Sequence, residues 1–216
     1  MRSSRLLFAM LLTVTAISAS AADENIRRAD DDPRTGAAIR ELVRRGAVVK
    51  RFAVRETDSA GLLVRLKSEH LDQHGQVSDD ILAELSSLND LALELRGLPL
   101  SDVGLKSLLA KVKVIGLDIS GTKISDRGLQ DLPSQRSRLR MLDLSFTQIS
   151  DAGLKSVAGL AELRHLSLIG CRVTDGITES LAGLSRVREI YLAETGISAR
   201  AAEQLRHALP ACRIER

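Results

Sequence analysis

The sequence predicts an α/β solenoid: short stacked units with parallel strands on a concave face and helices on the convex face. Three observations predict it. A hydroxyl–acid pair recurs at Ser101-Asp102, Ser125-Asp126, Ser150-Asp151 and Thr174-Asp175, with a remnant at Ser198-Ala199, spaced 24, 25, 24 and 24 residues apart. Before each pair stands an alternating apolar doublet: Leu93/Leu95, Leu117/Ile119, Leu142/Leu144, Leu166/Leu168 and Ile190/Leu192. After the first three pairs come apolar residues at helical spacing, Leu105/Leu108, Leu129/Leu132 and Leu154/Val157. Period-2 alternation buries one face of a strand, and a three-residue spacing buries one stripe of a helix. The Ser or Thr between them is a helix N-cap, and the Asp places a negative charge in the first turn. A unit this small cannot bury its own leucines, but stacked units can.

Composition agrees and excludes other classes. The chain has 216 residues, 44% hydrophobic, 27% charged and 2% aromatic. That is too apolar for a disordered chain and too poor in aromatics for a large aromatic ligand pocket. Residues 1–22 read as a secretory signal peptide. Arg2 and Arg5 give a positive start, Leu6–Ile17 is an apolar run of 12, and Ala19-Ser20-Ala21-Ala22 supplies the small residues for cleavage. No Cys follows that run to carry a lipid, and the run is short for a retained anchor. Without Arg2 and Arg5 the chain carries 29 basic and 28 acidic residues, a net charge of +1. Such a balance gives no electrostatic case for nucleic acid or an anionic membrane. Residues 23–36 are polar and charged and read as a flexible linker.

The next elements follow in order. Ala37–Arg45 and then Val48–Val54 form a helix–strand cap over 37–61, and the repeats with their closing cap occupy 62–216. The first unit, Leu63–Leu85, has a weaker pair at Ser78-Asp79 and extra residues around Glu69–Gly75. The fourth places its glycine early, at Gly176, and the fifth has Ala199-Arg200-Ala201-Ala202 where Asp and Gly-Leu are expected.

This pattern resembles the leucine-rich repeat family. The run Leu142–Leu154, L-x-L-S-x-T-x-I-S-D-A-G-L, is similar to the cysteine-containing subtype, and especially to exported bacterial proteins of the planctomycete kind. The ending Leu209-Pro210-Ala211-Cys212-Arg213-Ile214 matches their closing segment. Related repeats follow F-box modules in ubiquitin ligases, but no F-box-like stretch precedes these repeats. The resemblance implies a protein-binding scaffold that recognises an envelope or extracellular partner through its concave face; the chain is read as non-enzymatic, without cofactor, monomeric and acting in the periplasm or outside the cell, with a purely structural envelope protein or an adaptor of the F-box type as alternatives.

Stacking turns equivalent positions into columns. Leu98, Thr122, Thr147, Cys171 and Thr195 fall where the chain leaves each strand. Their hydroxyl or thiol is expected to bond the neighbouring unit's backbone, which leaves Cys171 a buried structural residue, unpaired with Cys212. The concave middle column reads Arg65, Glu94, Asp118, Asp143, Ser167, Tyr191, flanked by Arg96 on one side and His165 on the other. Successive strands lie about 4.8 Å apart, so three carboxylates stand side by side, a repulsion that a cationic partner would relieve. Glu94, Asp118, Asp143, Arg96, Tyr191 and His165 are therefore the candidate partner-binding residues; a solvated strand face is the plainer reading of the same row. Arg140, Arg164 and Arg188 border it. No catalytic or metal constellation emerges. His70 and His74 have the i, i+4 spacing of a zinc helix, the basis for a metal-dependent hydrolase as an alternative, but they lack the glutamate of that motif.

Overall fold

The computed structural model describes residues 32–53, 60–132 and 138–216. The signal-peptide reading and most of the linker reading, residues 1–31, lie outside them. The linker's last residues are not linker. Helix α1 spans Pro33–Arg44, four residues earlier than its apolar pattern suggests. Pro33 sits where its missing N–H costs nothing, and the Asp32 carboxylate accepts the Arg34 and Thr35 amides at 3.2 Å. Strand β1 (Val48–Ala53) follows and pairs antiparallel with β2 (Ala60–Arg65).

From β2 onward neighbouring strands pair in parallel. The chain alternates through α2 (Asp79–Ser86), β3 (Leu91–Glu94), α3 (Asp102–Lys111), β4 (Val114–Asp118), β5 (Met141–Asp143), α4 (Asp151–Val157), β6 (His165–Ser167), α5 (Thr178–Ala182), β7 (Glu189–Tyr191), α6 (Ala199–Ala208) and β8 (Arg213–Glu215). Among the described residues eight strands lie in sequence order in one sheet. Leu93, Leu117, Leu142, Leu166, Ile190 and Ile214 stand opposite one another in the ladder and are all buried. Leu95, Ile119, Leu144, Leu168 and Leu192 form a second buried row. Each such side chain contributes about 1.5–3 kcal/mol by leaving water. From the convex side, Leu105, Leu108, Leu154 and Leu205 close the core.

Two expectations are corrected. Asp126–Asp131, after the third strand of the repeat series, is a run of turns rather than a helix. Its apolar pattern still does its work, since Leu129 and Leu132 are buried like their helical counterparts. The threonine column also behaves differently. Thr122, Thr147 and Thr195 donate to the carbonyls three residues earlier in their own turns, at 2.5–2.7 Å. Among the described residues of this column only Cys171 reaches a neighbouring unit's backbone, its thiol donating to the Leu144 carbonyl at 3.0 Å, and its sulfur also lies 3.6 Å from the Thr147 hydroxyl.

Candidate functional site: the concave strand face

The predicted middle column is present in register: Arg65, Glu94, Asp118, Asp143, Ser167 and Tyr191, extended by Glu215. Exposure within it differs from expectation. Asp118 and Asp143 are each 1% exposed. The Asp118 carboxylate accepts the Ser120 amide at 2.9 Å, and Asp143 does the same for Ser145 at 2.9 Å. Each carboxylate thus bends onto its own chain two residues on and fixes the turn that leaves the strand. Buried hydroxyls line these turns, with Ser145 and Ser167 bonded at 2.7 Å. Ser120 Oγ is buried without a well-directed bond, yet it lies near enough to Asp118 to favour the charged carboxylate. Burial dominates nonetheless. Together with the Asp143 charge beside it, and to a lesser degree Glu94, it pushes the Asp118 carboxyl up to about 7. As direct partner contacts, Asp118 and Asp143 are therefore corrected: water does not reach them, and a partner would not either.

The other candidates are accessible. Glu94 pairs with Arg65 at 2.8 Å, and Arg96 is half-buried beside it. Toward the end of the array His165, Glu189 and Tyr191 form a linked cluster. His165 Nδ1 lies 3.2 Å from Glu189 Oε2, and the Tyr191 hydroxyl donates to that same oxygen at 3.0 Å. Burial lowers the proton affinity of His165, against the pull of Glu189. Burial also lifts the Tyr191 phenol, with Glu189 adding, to about 12, so it remains a hydrogen-bond donor at ordinary pH. At the start of these strands the arginines stack: Arg164 N–H donates to the Arg140 carbonyl at 2.8 Å, and Arg188 N–H to the Arg164 carbonyl at 2.7 Å.

His70 is a structural residue. Its Nδ1 accepts the Lys67 amide at 2.8 Å, which leaves Nε2 as the protonated nitrogen facing the Arg45 carbonyl at 3.0 Å. Both ring nitrogens are occupied by backbone, so the two-histidine metal reading loses one ligand. Cys171 is buried, and burial raises its thiol pKa. Cys212 is half-buried, its thiol pushed up to about 11, and both thiols are free.

Sequence reasoning missed what the recurring aspartates do. Each grips the next unit rather than its own helix. Asp102 accepts the amide and hydroxyl of Ser125, Asp126 those of Ser150, Asp151 those of Thr174 and Asp175 those of Ser198, all at 2.5–2.9 Å. The glycine that follows makes room. A Cβ on Gly128 would meet Asp102 at 2.6 Å, and one on the displaced Gly176 would meet Asp151 at 2.7 Å. The signal was legible as a fault: Ala199 replaces the aspartate in the fifth unit.

A leucine-rich repeat family model matches residues 139–158, which hold β5, its turn and α4. The repeat unit is a leucine-rich repeat. Solved structures similar to this leucine-rich repeat array include a leucine-rich repeat protein of Leptospira interrogans, 21% identical over 65% of this chain and 34% of that one, with a TM-score of 0.42. Internalin C2 of Listeria monocytogenes is 22% identical over 65% of this chain and 66% of its own, with a TM-score of 0.45. The leucine-rich repeat ectodomain of the receptor kinase SOBIR1 from Arabidopsis thaliana is 21% identical over 76% and 94%, with a TM-score of 0.40. The chain thus spans about a third of the Leptospira protein. Among curated proteins none matches at a significant level. No helix among the described residues is long and apolar enough to cross a membrane.

Proposed function

We propose that the protein is an exported, non-enzymatic scaffold that binds a protein partner on the concave strand face of its leucine-rich repeats. The observation that carries this reading is the His165–Glu189–Tyr191 cluster. It puts the only tyrosine of the chain on the strand face, with its hydroxyl held at 3.0 Å by Glu189. Oriented tyrosines and arginines dominate the energetics of protein interfaces. Export rests on the character of residues 1–22, and places the partner in the envelope or outside the cell.

A photo-crosslinking residue at Arg96 or Tyr191, with one at the exposed convex Lys155 as control, tests the reading in cells. Capture of one protein from the concave positions and not from Lys155 is the expected outcome. Equal capture from both faces, or none from the concave face, overturns it.

A further inference from the structure

The first strands of the concave face carry cations that the fold does not answer. Register sets their side chains in rows. Val48, Arg65 and Glu94 form one row across β1, β2 and β3, and Lys50, Leu63 and Ala92 form the next. The other face of β1 belongs to the core: Val49 packs against it, while Val48 is 36% exposed. Past the ends of β2 and β3 the pairing continues, with the Leu66 N–H donating to the Glu94 carbonyl at 3.1 Å, and this brings Lys67 beside Arg96. The nearby carboxylates are engaged or remote. Glu94 pairs with Arg65 at 2.8 Å, and Glu69 lies 3.6 Å from Lys67. Asp90, just before β3, is two strands from Lys50, on the order of 10 Å by strand spacing. Asp118, next in the row after Glu94, is buried, with its carboxyl pushed up to about 7. The Lys50 ammonium and the half-buried Arg96 guanidinium make no hydrogen bond or ion pair among the described residues.

We propose that this end of the face docks an acidic segment of the protein partner, with carboxylates answering Lys50, Lys67 and Arg96 and apolar residues meeting Val48 and Leu63. The inference rests on the scaffold reading and names the partner's chemistry. Lys67 and Arg96 stand about 4.8 Å apart by strand spacing, and like charges directly opposite each other destabilise a sheet. A carboxylate set between them converts that cost into attraction. The Arg96 guanidinium offers a fork that a carboxylate fits in bidentate geometry, and its partial burial weakens screening by salt. Apolar side chains alternate with the cations and favour a protein over a bare polyanion. Val48 stands opposite Arg65, and Leu63, half-buried and outside the core, stands opposite Lys50. One row further on, the Phe52 ring lies across Gly61. Along β2, Leu63, Arg65 and Lys67 follow each other at two-residue steps of about 6.6 Å. An extended segment with an apolar residue at i and carboxylates at i+2 and i+4 has the same spacing.

The test is fluorescence anisotropy on the protein as purified, with two labelled peptides that carry Val, Glu and Glu, or Val, Lys and Lys, at i, i+2 and i+4. The Glu peptide is expected to bind, to weaken several-fold as salt is raised to physiological strength, and to lose roughly tenfold in affinity in the double variant Lys50→Gln, Arg96→Gln. Neither side chain is tied into the fold, so circular dichroism melts of the variant should match the parent. Lys155→Gln on the convex side is the control and should bind as the parent does. Val48→Ser should weaken the Glu peptide and leave dextran sulfate unaffected. A Glu peptide that fails to bind, or a Lys peptide that binds instead, overturns the proposal on the unaltered chain. So does an undiminished Glu complex in the double variant, or an equal loss in Lys155→Gln. Dextran sulfate or anionic phospholipid vesicles that bind as tightly as the Glu peptide, with the peptide indifferent to Val48→Ser, would assign the cations to a polyanion or a membrane surface and also overturn it. In-cell capture from Tyr191 that survives a failed peptide test would leave the scaffold reading standing and sink only this inference.

Discussion

Asp126 shows how one residue can serve two units. Its carboxylate closes two hydrogen bonds onto Ser150, at 2.6 and 2.8 Å, while the Ser150 hydroxyl also accepts the Ala152 amide at the head of α4. The aspartate joins the repeats and orients the cap of the next one. Charge-assisted bonds contribute about 1.5–3 kcal/mol each when buried, and partial exposure reduces that here. Asp126→Ala is therefore expected to cost about 1–3 kcal/mol in urea unfolding. Among the described residues no hydroxyl stands one repeat beyond position 199, so in this chain Ala199→Asp should change stability by less than about 0.5 kcal/mol. Equal losses from the two substitutions would show that the ladder does not hold the units together. The sequence displayed these aspartates plainly, but spacing alone assigned them to their own helices, because a bond across about 24 residues leaves no local mark.

At the scale of the element, β4 and β5 present a conflict. Their registered carboxylates, Asp118 and Asp143, are both buried, and adjacent carboxylates of that kind do not ionise independently. With the Asp118 carboxyl pushed up to about 7, against 3.8 for an ordinary aspartate, the folded chain keeps a proton that the unfolded chain releases. The contribution of this carboxyl to stability is then fully present below about pH 4, falls as pH rises toward 7, and is lost, by on the order of a few kcal/mol, above that. Asp118→Asn should flatten this slope and raise stability at pH 8, since the amide keeps an acceptor for Ser120 and gains a donor toward Asp143. Urea unfolding at pH 5 and pH 8 measures both effects. A parent protein with no loss between the two, or an Asp118→Asn variant with the parental slope, would place the two charges in contact with water. The charge column and its register were both readable from the L-x-L spacing. Its burial was not, because the fold of each carboxylate onto the amide two residues on depends on the turn, and the turn's left-handed residue is Phe146 in one unit and glycine in its neighbours.

For the whole molecule, stability is close to a sum of unit stabilities and nearest-neighbour contacts, so the ends decide whether the array stays soluble. The general architecture was legible because every unit repeats the same apolar spacing. The ends were not, since caps obey no repeat: α1 begins at a proline that the apolar pattern does not mark, and His70 is held by the Arg45 carbonyl from far along the chain. The C-terminal cap is the more exposed to test. Helix α6 of the fifth unit buries Ala201, Ala202 and Leu205 and packs beside α5, and Ile214 of β8 covers Ile190 in the ladder. Arg216 Nε donates to the Ile197 carbonyl at 2.7 Å and closes the last turn. Ending the chain at Glu194 strips this cover. Ile190 and Leu192, now fully buried, would line an open sheet edge, and Asp175 would lose Ser198, the partner that holds its carboxyl below the usual range. An unpaired apolar edge is a template for association. The truncated protein is expected to sediment as a polydisperse species and to melt well below the parent. Leu205→Ala in the full chain, which removes only packing, should cost about 2–5 kcal/mol without causing association. A truncated protein that sediments as the parent does, with the same melting temperature, would show that the array caps itself before α6 and that the last unit is an appendage.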